Sequence, residues 1–158
     1  LTESALASLI AALCEAQTAL LVPRLRALGM SQASFQLLSA VYAAGDSSTQ
    51  SEIGQRLGVA PATLSEAVQL HVVRGLLEQQ VMPGDRRVRR LALTKLGRGL
   101  MDQVLVEVSI VEQAMLQGLP TSRQRDLIEG LALVAANLDR ERQRRLAPTA
   151  VVQLPDPV

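Results

Sequence analysis

Between Thr49 and Gly75 the chain reads TQSEIGQRLGVAPATLSEAVQLHVVRG, and its punctuation leaves the backbone few alternatives. Thr49 and Glu52 stand at capping-box spacing, where a hydroxyl and a carboxylate each take one of the amides that the first turn of a helix leaves unpaired. Gly58 lies where a helix must leave through a left-handed residue, a conformation glycine adopts without steric cost. After the break Gly58-Val59-Ala60, Pro61 suits the first turn of another helix, where its missing N–H is no loss. Gly75 stops that second helix. Two short helices around a tight, glycine-containing turn are the helix-turn-helix pattern.

The period then changes. LLEQQVM (residues 76–82) alternates apolar and polar side chains as a strand does, PGD (83–85) is a turn, and VRRLALT (88–94) is a second strand. A hairpin following directly on a helix-turn-helix predicts a mainly α fold with a small β-hairpin wing. The charge of this segment is uneven. The whole chain carries a formal +1, yet residues 83–98 hold six basic side chains and one acid, Asp85, for +5, which leaves −4 on the rest. Arg86, Arg87, Arg89 and Arg90 fill four of five consecutive positions. Positive charge gathered on one element is expected of an anion-binding surface. The plain alternative is edge protection, since charge on an exposed strand blocks pairing with another chain. Four arginines exceed what that requires.

On either side the pattern is helical. Leu6, Leu9, Ile10, Leu13 and Leu20 predict a first helix from Glu3 to about Leu21, ended by Pro23 and the ALGM at 27–30, with RLRALG (24–29) as a surface segment. Ser31 caps a second helix through Ala44, closed by Gly45, with Phe35, Leu38 and Tyr42 on one face. Beyond the hairpin, Leu96, Leu100, Val104, Val108, Val111 and Met115 stripe a long helix from Thr94 to about Leu116, which Leu119-Pro120 breaks. A last helix, roughly Thr121 to Arg145, carries Leu127, Leu131, Val134 and Leu138 and ends in DRERQRR, a solvated basic terminus that complements the helix dipole. One wing domain cannot cover these apolar stripes, whereas two copies interleaving their terminal helices about a two-fold axis can. The expected organisation is therefore dimerisation helices at 1–30 and 117–147, with Leu6, Leu9, Leu13, Leu127, Leu131 and Leu138 at the interface. A winged helix-turn-helix domain occupies 31–98, a long linking helix 99–116, and a flexible, proline-containing tail 148–158.

A single cysteine, Cys14, excludes an internal disulfide and fits a reducing compartment. The N-terminus shows no leader pattern and no stretch reaches about 18 apolar residues, so a cytoplasmic protein with no membrane partner is expected.

With its elements in this order, the chain resembles the MarR family of winged helix-turn-helix transcriptional regulators. The resemblance is carried by SEIGQRLGVAPATLSEAV (51–68) and RGLLEQQVMPGDRRVRRLALTKLG (74–97), most specifically by Asp85-x-Arg87, Leu91-x-Leu93-Thr94 and Gly97. It implies a homodimer that binds a pseudo-palindromic operator in double-stranded DNA, usually represses, and is released by a small-molecule effector or by oxidation. It also implies that Leu64 to Arg74 lies in the major groove while a wing of Asp85, Arg86, Arg87 and Arg89 reaches the neighbouring minor groove, with Asp85 pairing Arg87 to shape the tip. Thr49, Gln50 and Ser51, at the start of the preceding helix, join the DNA surface. Arginine neutralises phosphate whatever the sequence, and in a narrow minor groove it reads shape.

On the recognition helix Leu64, Val68 and His71 fall on the inward face. Ala62, Thr63, Glu66, Gln69, Leu70 and Val73 point elsewhere, with Ser65 near the boundary. Thr63, Ser65 and Gln69 can reach base edges or phosphates. Three positions depart from the family pattern: Ala60 replaces a capping serine, Glu66 a base-contacting arginine, and Leu70 a basic residue. Glu66 can accept a hydrogen bond from a cytosine amine, or simply repel phosphate.

Cys14 is a redox candidate because one branch of the family senses hydroperoxides through a first-helix cysteine, while its place after Leu9, Ile10 and Leu13 favours a small buried hydrophobe. His71 reads as a core side chain bonded to a backbone carbonyl. Phe35 and Tyr42 are candidate walls of a ligand pocket, or core fillers. One His, one Cys and scattered acids assemble neither a catalytic set nor a metal site, so no enzyme and no cofactor are expected. Two alternatives stand beside the operator-binding regulator. One is a MarR-like dimer with weakened operator recognition, acting as a protein-interaction or ligand-sensing module, for which Ala60, Glu66 and Leu70 speak. The other is a Cys14-based peroxide-sensing repressor.

Overall fold

In the computed structural model the described residues are 5–45, 48–82 and 85–146, excluding the side chains of 82, 85–88 and 146. Their order is α1 (Ala5–Ala27), α2 (Gln32–Ala44), α3 (Gln50–Leu57), α4 (Pro61–Val73), β1 (Leu77–Met82), β2 (Asp85–Leu93), α5 (Lys95–Leu116) and α6 (Thr121–Leu146). The chain divides into two compact units, Leu1–Met115 and Leu116–Val158. This is a mainly α fold with a β-hairpin wing, in which a winged helix-turn-helix is preceded and followed by helices.

The first unit has one aliphatic core. Leu21 and Leu25 of α1, Leu37, Leu38 and Val41 of α2, Ile53 of α3, Leu64 and Val68 of α4, Leu77, Leu91 and Leu93 of the hairpin, and Met101, Val104 and Val111 of α5 pack together. A chain with one Phe and one Tyr has little else to build from.

Local chemistry accounts for most boundaries. Ser31 Oγ accepts from the Ser34 N–H to start α2, and Gly45 closes it. At α3 both halves of the capping box form: Thr49 Oγ1 accepts from the Glu52 N–H at 3.2 Å and Glu52 Oε2 accepts from the Thr49 N–H at 2.7 Å. Gly58, at φ 66°, releases the chain into the turn. The start of α4 has Pro61 but no side-chain cap, as Ala60 dictates. Its far end is a Schellman arrangement: Gly75 N–H donates to Val72 O, Leu76 N–H donates to His71 O, and Leu76 is buried.

The hairpin pairs Leu77 with Leu93, Gln79 with Leu91 and Val81 with Arg89, and a bulge between Val81 and Met82 brings Met82 opposite Asp85. Asp85 therefore belongs to β2 rather than to the expected PGD turn, whose Pro83 and Gly84 lie outside the described residues. The α3 N-cap is strapped to this hairpin, since Leu91 N–H donates to Ser48 O and Thr49 bridges to Arg90. Thr94 locks the next junction: its Oγ1 donates to Gly75 O at 2.6 Å and accepts from the Gly97 N–H at 3.0 Å.

Several expectations are corrected. The first helix does not stop at Pro23 but runs through it to Ala27. Buried Leu21 and Leu25 hold both sides of the proline against the core, which outweighs one lost helical hydrogen bond. The helix ends instead in a second Schellman arrangement, with Gly29 N–H to Arg26 O and Met30 N–H to Leu25 O. RLRALG is only in part a surface segment: Arg26, Ala27 and Gly29 are exposed, but Leu25 is fully buried, and Arg24 pairs with Glu107 of α5 at 2.7 Å. On α5 the stripe shifts, because Leu96 and Met115 are exposed while Met101 enters the core. That helix is continuous from Lys95 to Leu116, as its spacing predicts. Against expectation, α1 is by length and composition apolar enough to cross a membrane. Its Leu6, Leu9, Leu13 and Leu20 are exposed, as are Leu127, Leu131 and Leu138 of α6. The tail 148–158 lies outside the described residues.

Candidate nucleic-acid interface

Residues 64, 68 and 71 share one face of a helix, and in α4 that face is buried as Leu64, Val68 and His71. Ala62, Thr63, Ser65, Glu66, Gln69, Leu70 and Val73 are left exposed. The hairpin supplies the opposite wall. Residues paired across an antiparallel ladder share a face with those two positions along. The face that sends Leu77 and Leu93 into the core at the hairpin's base thus carries Gln79, then Val81 and Arg89, as it leaves the core. A groove of about 590 Å³ opens between helix and hairpin, lined by Ser65, Glu66, Gln69, Leu70, Val73, Gln79 and Arg89.

A chain of amides crosses this groove. Gln50 Nε2 donates to Ser65 Oγ at 2.9 Å, Gln79 Nε2 donates to Gln50 Oε1 at 2.9 Å, and Arg89 Nη1 reaches Gln79 Oε1 over a longer 3.5 Å. The start of α3, the middle of α4 and both strands of the wing are thereby connected. Gln50, Ser65 and Arg89 are among the residues expected at a DNA surface, and Gln79, which joins them here, is not. The available signal was a polar side chain at an inward position of β1, two residues after buried Leu77 and opposite buried Leu91.

The wing arginines do not all point one way. Arg89 lines the groove, whereas Arg90 sits near the α3 N-cap. There the Thr49 amide, the Thr49 hydroxyl and the Arg90 charge hold the Glu52 carboxyl below its ordinary pKa. Asp85, Arg86 and Arg87 are residues of β2, and their side chains, with the expected Asp85–Arg87 pair, lie outside the described residues. Thr49 is engaged in capping and Ser51 is exposed.

The remaining candidates are dispersed. His71 is 2% exposed, and its Nδ1 has no hydrogen-bond partner, so the expected carbonyl bond at that nitrogen is absent. Burial, then the charge of Arg74, pushes its pKa below 6.5. Cys14 is exposed rather than buried in the single chain. Phe35 lines a cleft of about 160 Å³ with residues of α1 and α2, among them Gln17, Gln32 and Gln36. Tyr42 is not part of that cleft and is 38% exposed. Among the described residues no three His, Cys, Asp or Glu side chains converge as metal ligands would.

A hairpin standing beside the exposed face of the second helix is what makes a helix-turn-helix a winged one, and α3, α4, β1 and β2 meet that definition. Residues 28–88 match the model of the MarR family. The transcriptional regulator PA3341 is 30% identical and superposes with a TM-score of 0.74, over 85% of this chain and 98% of that one. A MarR-family regulator from Silicibacter pomeroyi is 26% identical, with a TM-score of 0.73 over 85% and 90%. The fold is shared with a mutant of S. aureus MepR bound to an oligodeoxyribonucleotide, which is 20% identical with a TM-score of 0.59 over 84% and 96%. The chain belongs to the MarR family of transcriptional regulators.

Proposed function

We propose that this protein is a repressor that binds a pseudo-palindromic operator as a homodimer, with α4 in the major groove and the wing at the adjacent minor groove, and that a small ligand releases it. The observation that carries the reading is the groove between α4 and the hairpin. Its helical wall offers Ser65, Glu66 and Gln69 toward base edges, and its rim carries Arg89 for phosphate or minor-groove contact. MepR, whose structure holds an oligodeoxyribonucleotide, is built on the same fold.

The homodimer is supported by the apolar side chains left in water on two helices: Leu6, Leu9 and Leu13 on α1, and Leu127, Leu131 and Leu138 on α6. Two-fold symmetry in the protein would be mirrored by the operator. The cleft beside Phe35 supports an effector of small size.

The test is fluorescence anisotropy of duplex DNA from upstream of the protein's own gene, titrated across salt and against scrambled duplex. Preferential binding with a steep salt slope is expected. Equal, weak binding of both duplexes would favour the second reading, a dimer whose α4 face meets protein, for which exposed Leu70 (54%) and Val73 (76%) speak. The exposure of Cys14 supports a peroxide-sensing variant of the repressor. A Cys14→Ser protein that still releases duplex in peroxide would remove it.

A further inference from the structure

The exposed stripe of α4 has an unexpected composition for a helix meant to enter a polyanion. From Pro61 to Val73 it contains no lysine or arginine. Glu66, Leu70 and Val73 follow one another at helical spacing on the exposed face and line the same groove. The Glu66 carboxylate forms no ion pair among the described residues. Ser65, directly beside it, is tied to Gln50, which constrains how α4 can rotate against the wing. Attraction to phosphate must therefore come from outside α4, from the wing and from neighbours such as exposed Arg56 and Arg74, which leaves α4 to discriminate between bases.

We propose, resting on the operator-binding reading, that Glu66 and Leu70 set the specificity for a pyrimidine pair. In this pair Glu66 accepts from the N4 amine of a cytosine, and Leu70, flanked by Val73, packs on the 5-methyl group of a nearby thymine. The chemistry follows from what each base shows in the major groove. An ionised carboxylate only accepts hydrogen bonds. Guanine presents N7 and O6 acceptors and thymine O4, all of which repel it; adenine sets its amine beside the N7 acceptor; cytosine offers an amine with no acceptor of its own alongside. An exposed leucine can gain from only one feature of a base edge in that groove, the thymine methyl. Positions 66 and 70 are about 6 Å apart along the helix axis. That is within roughly two base-pair steps of about 3.4 Å, so both contacts fit in one half-site.

The experiment selects from duplexes with a randomised core using the full chain, then repeats the selection with Glu66→Gln and Leu70→Ala. Both side chains are exposed, so the variants should fold. The wild type should enrich cytosine at one position of each half-site and thymine within two steps of it. Glu66→Gln should move the cytosine preference to adenine, whose N6 and N7 an amide can bond together, with about a tenfold loss on the original duplex. Replacing that thymine by deoxyuridine, which removes only the methyl group, should weaken the wild type several-fold and leave Leu70→Ala indifferent. Selective binding with the same base preferences in all three proteins would overturn this assignment while leaving the regulator intact. Failure of the wild type to enrich any duplex would overturn the operator-binding reading, and this inference with it.

Discussion

Gln50 holds Ser65 of α4 at 2.9 Å through its amide nitrogen while its amide oxygen, also at 2.9 Å, takes the side chain of Gln79 on the wing. Both ends of one side chain are engaged, and the two parts of the candidate DNA surface are spaced by it. Gln50→Ala should therefore lower the ratio of operator to scrambled-duplex affinity by about fivefold for each bond that matters to the spacing, and up to about thirtyfold if both do, given about 1 kcal/mol per lost bond. Because these bonds lie at the surface, the melting temperature should hardly move. Anisotropy on both duplexes, with a thermal melt, checks this. An unchanged ratio would make the amide chain incidental.

Arg89 lines the groove from the wing and has only a long contact with Gln79. Arg89→Ala should weaken binding to operator and scrambled duplex alike and reduce the slope of log affinity against log salt by about one. A titration across salt reads both effects. A normal slope would place Arg89 away from phosphate.

At Gly97 a Cβ atom would stand 2.1 Å from Leu76 O and 3.1 Å from Leu93 Cδ2, against backbone and core that cannot yield cheaply. Gly97→Ala should destabilise the fold by about 1–3 kcal/mol, the usual range for forcing atoms into a packed site. Gly99→Ala, where nothing lies within 4 Å, is the control. Denaturant midpoints of the two variants should differ clearly, and equal midpoints would refute the close approach.

His71 predicts a pH dependence. Burial favours its neutral form in the folded protein, with Arg74 adding to the effect, so its folded pKa lies below 6.5. The unfolded chain takes up that proton first as pH falls. The stability tied to neutral His71 is thus complete above pH 6.5 and declines below it, toward the folded pKa. His71→Leu should flatten the loss of melting temperature between neutral and mildly acidic buffer. If wild type and variant lose it in parallel, another group is responsible.

The parts of this protein that close within a few residues are readable from the chain alone. Ser31 and Thr49–Glu52 cap their helices from three residues away. Gly45, Gly58 and Gly75 all stand at positive φ where helices end. Spacing of 64, 68 and 71 turned the right side chains inward, which in turn left 62, 63, 65, 66 and 69 exposed. Such features are visible because donor, acceptor and geometry sit together in a short window. Contacts between distant residues leave no such trace. Pro23 looked like a stop, and burial of Leu21 and Leu25 in a core built from residues far along the chain made it a passage. Cys14 followed an apolar pattern, yet the single chain puts nothing over it, because an apolar period marks a face without saying what covers it. Gln50 meets Ser65 fifteen residues away and Gln79 twenty-nine away. Those bonds exist only because the core has already set α3, α4 and the hairpin against one another.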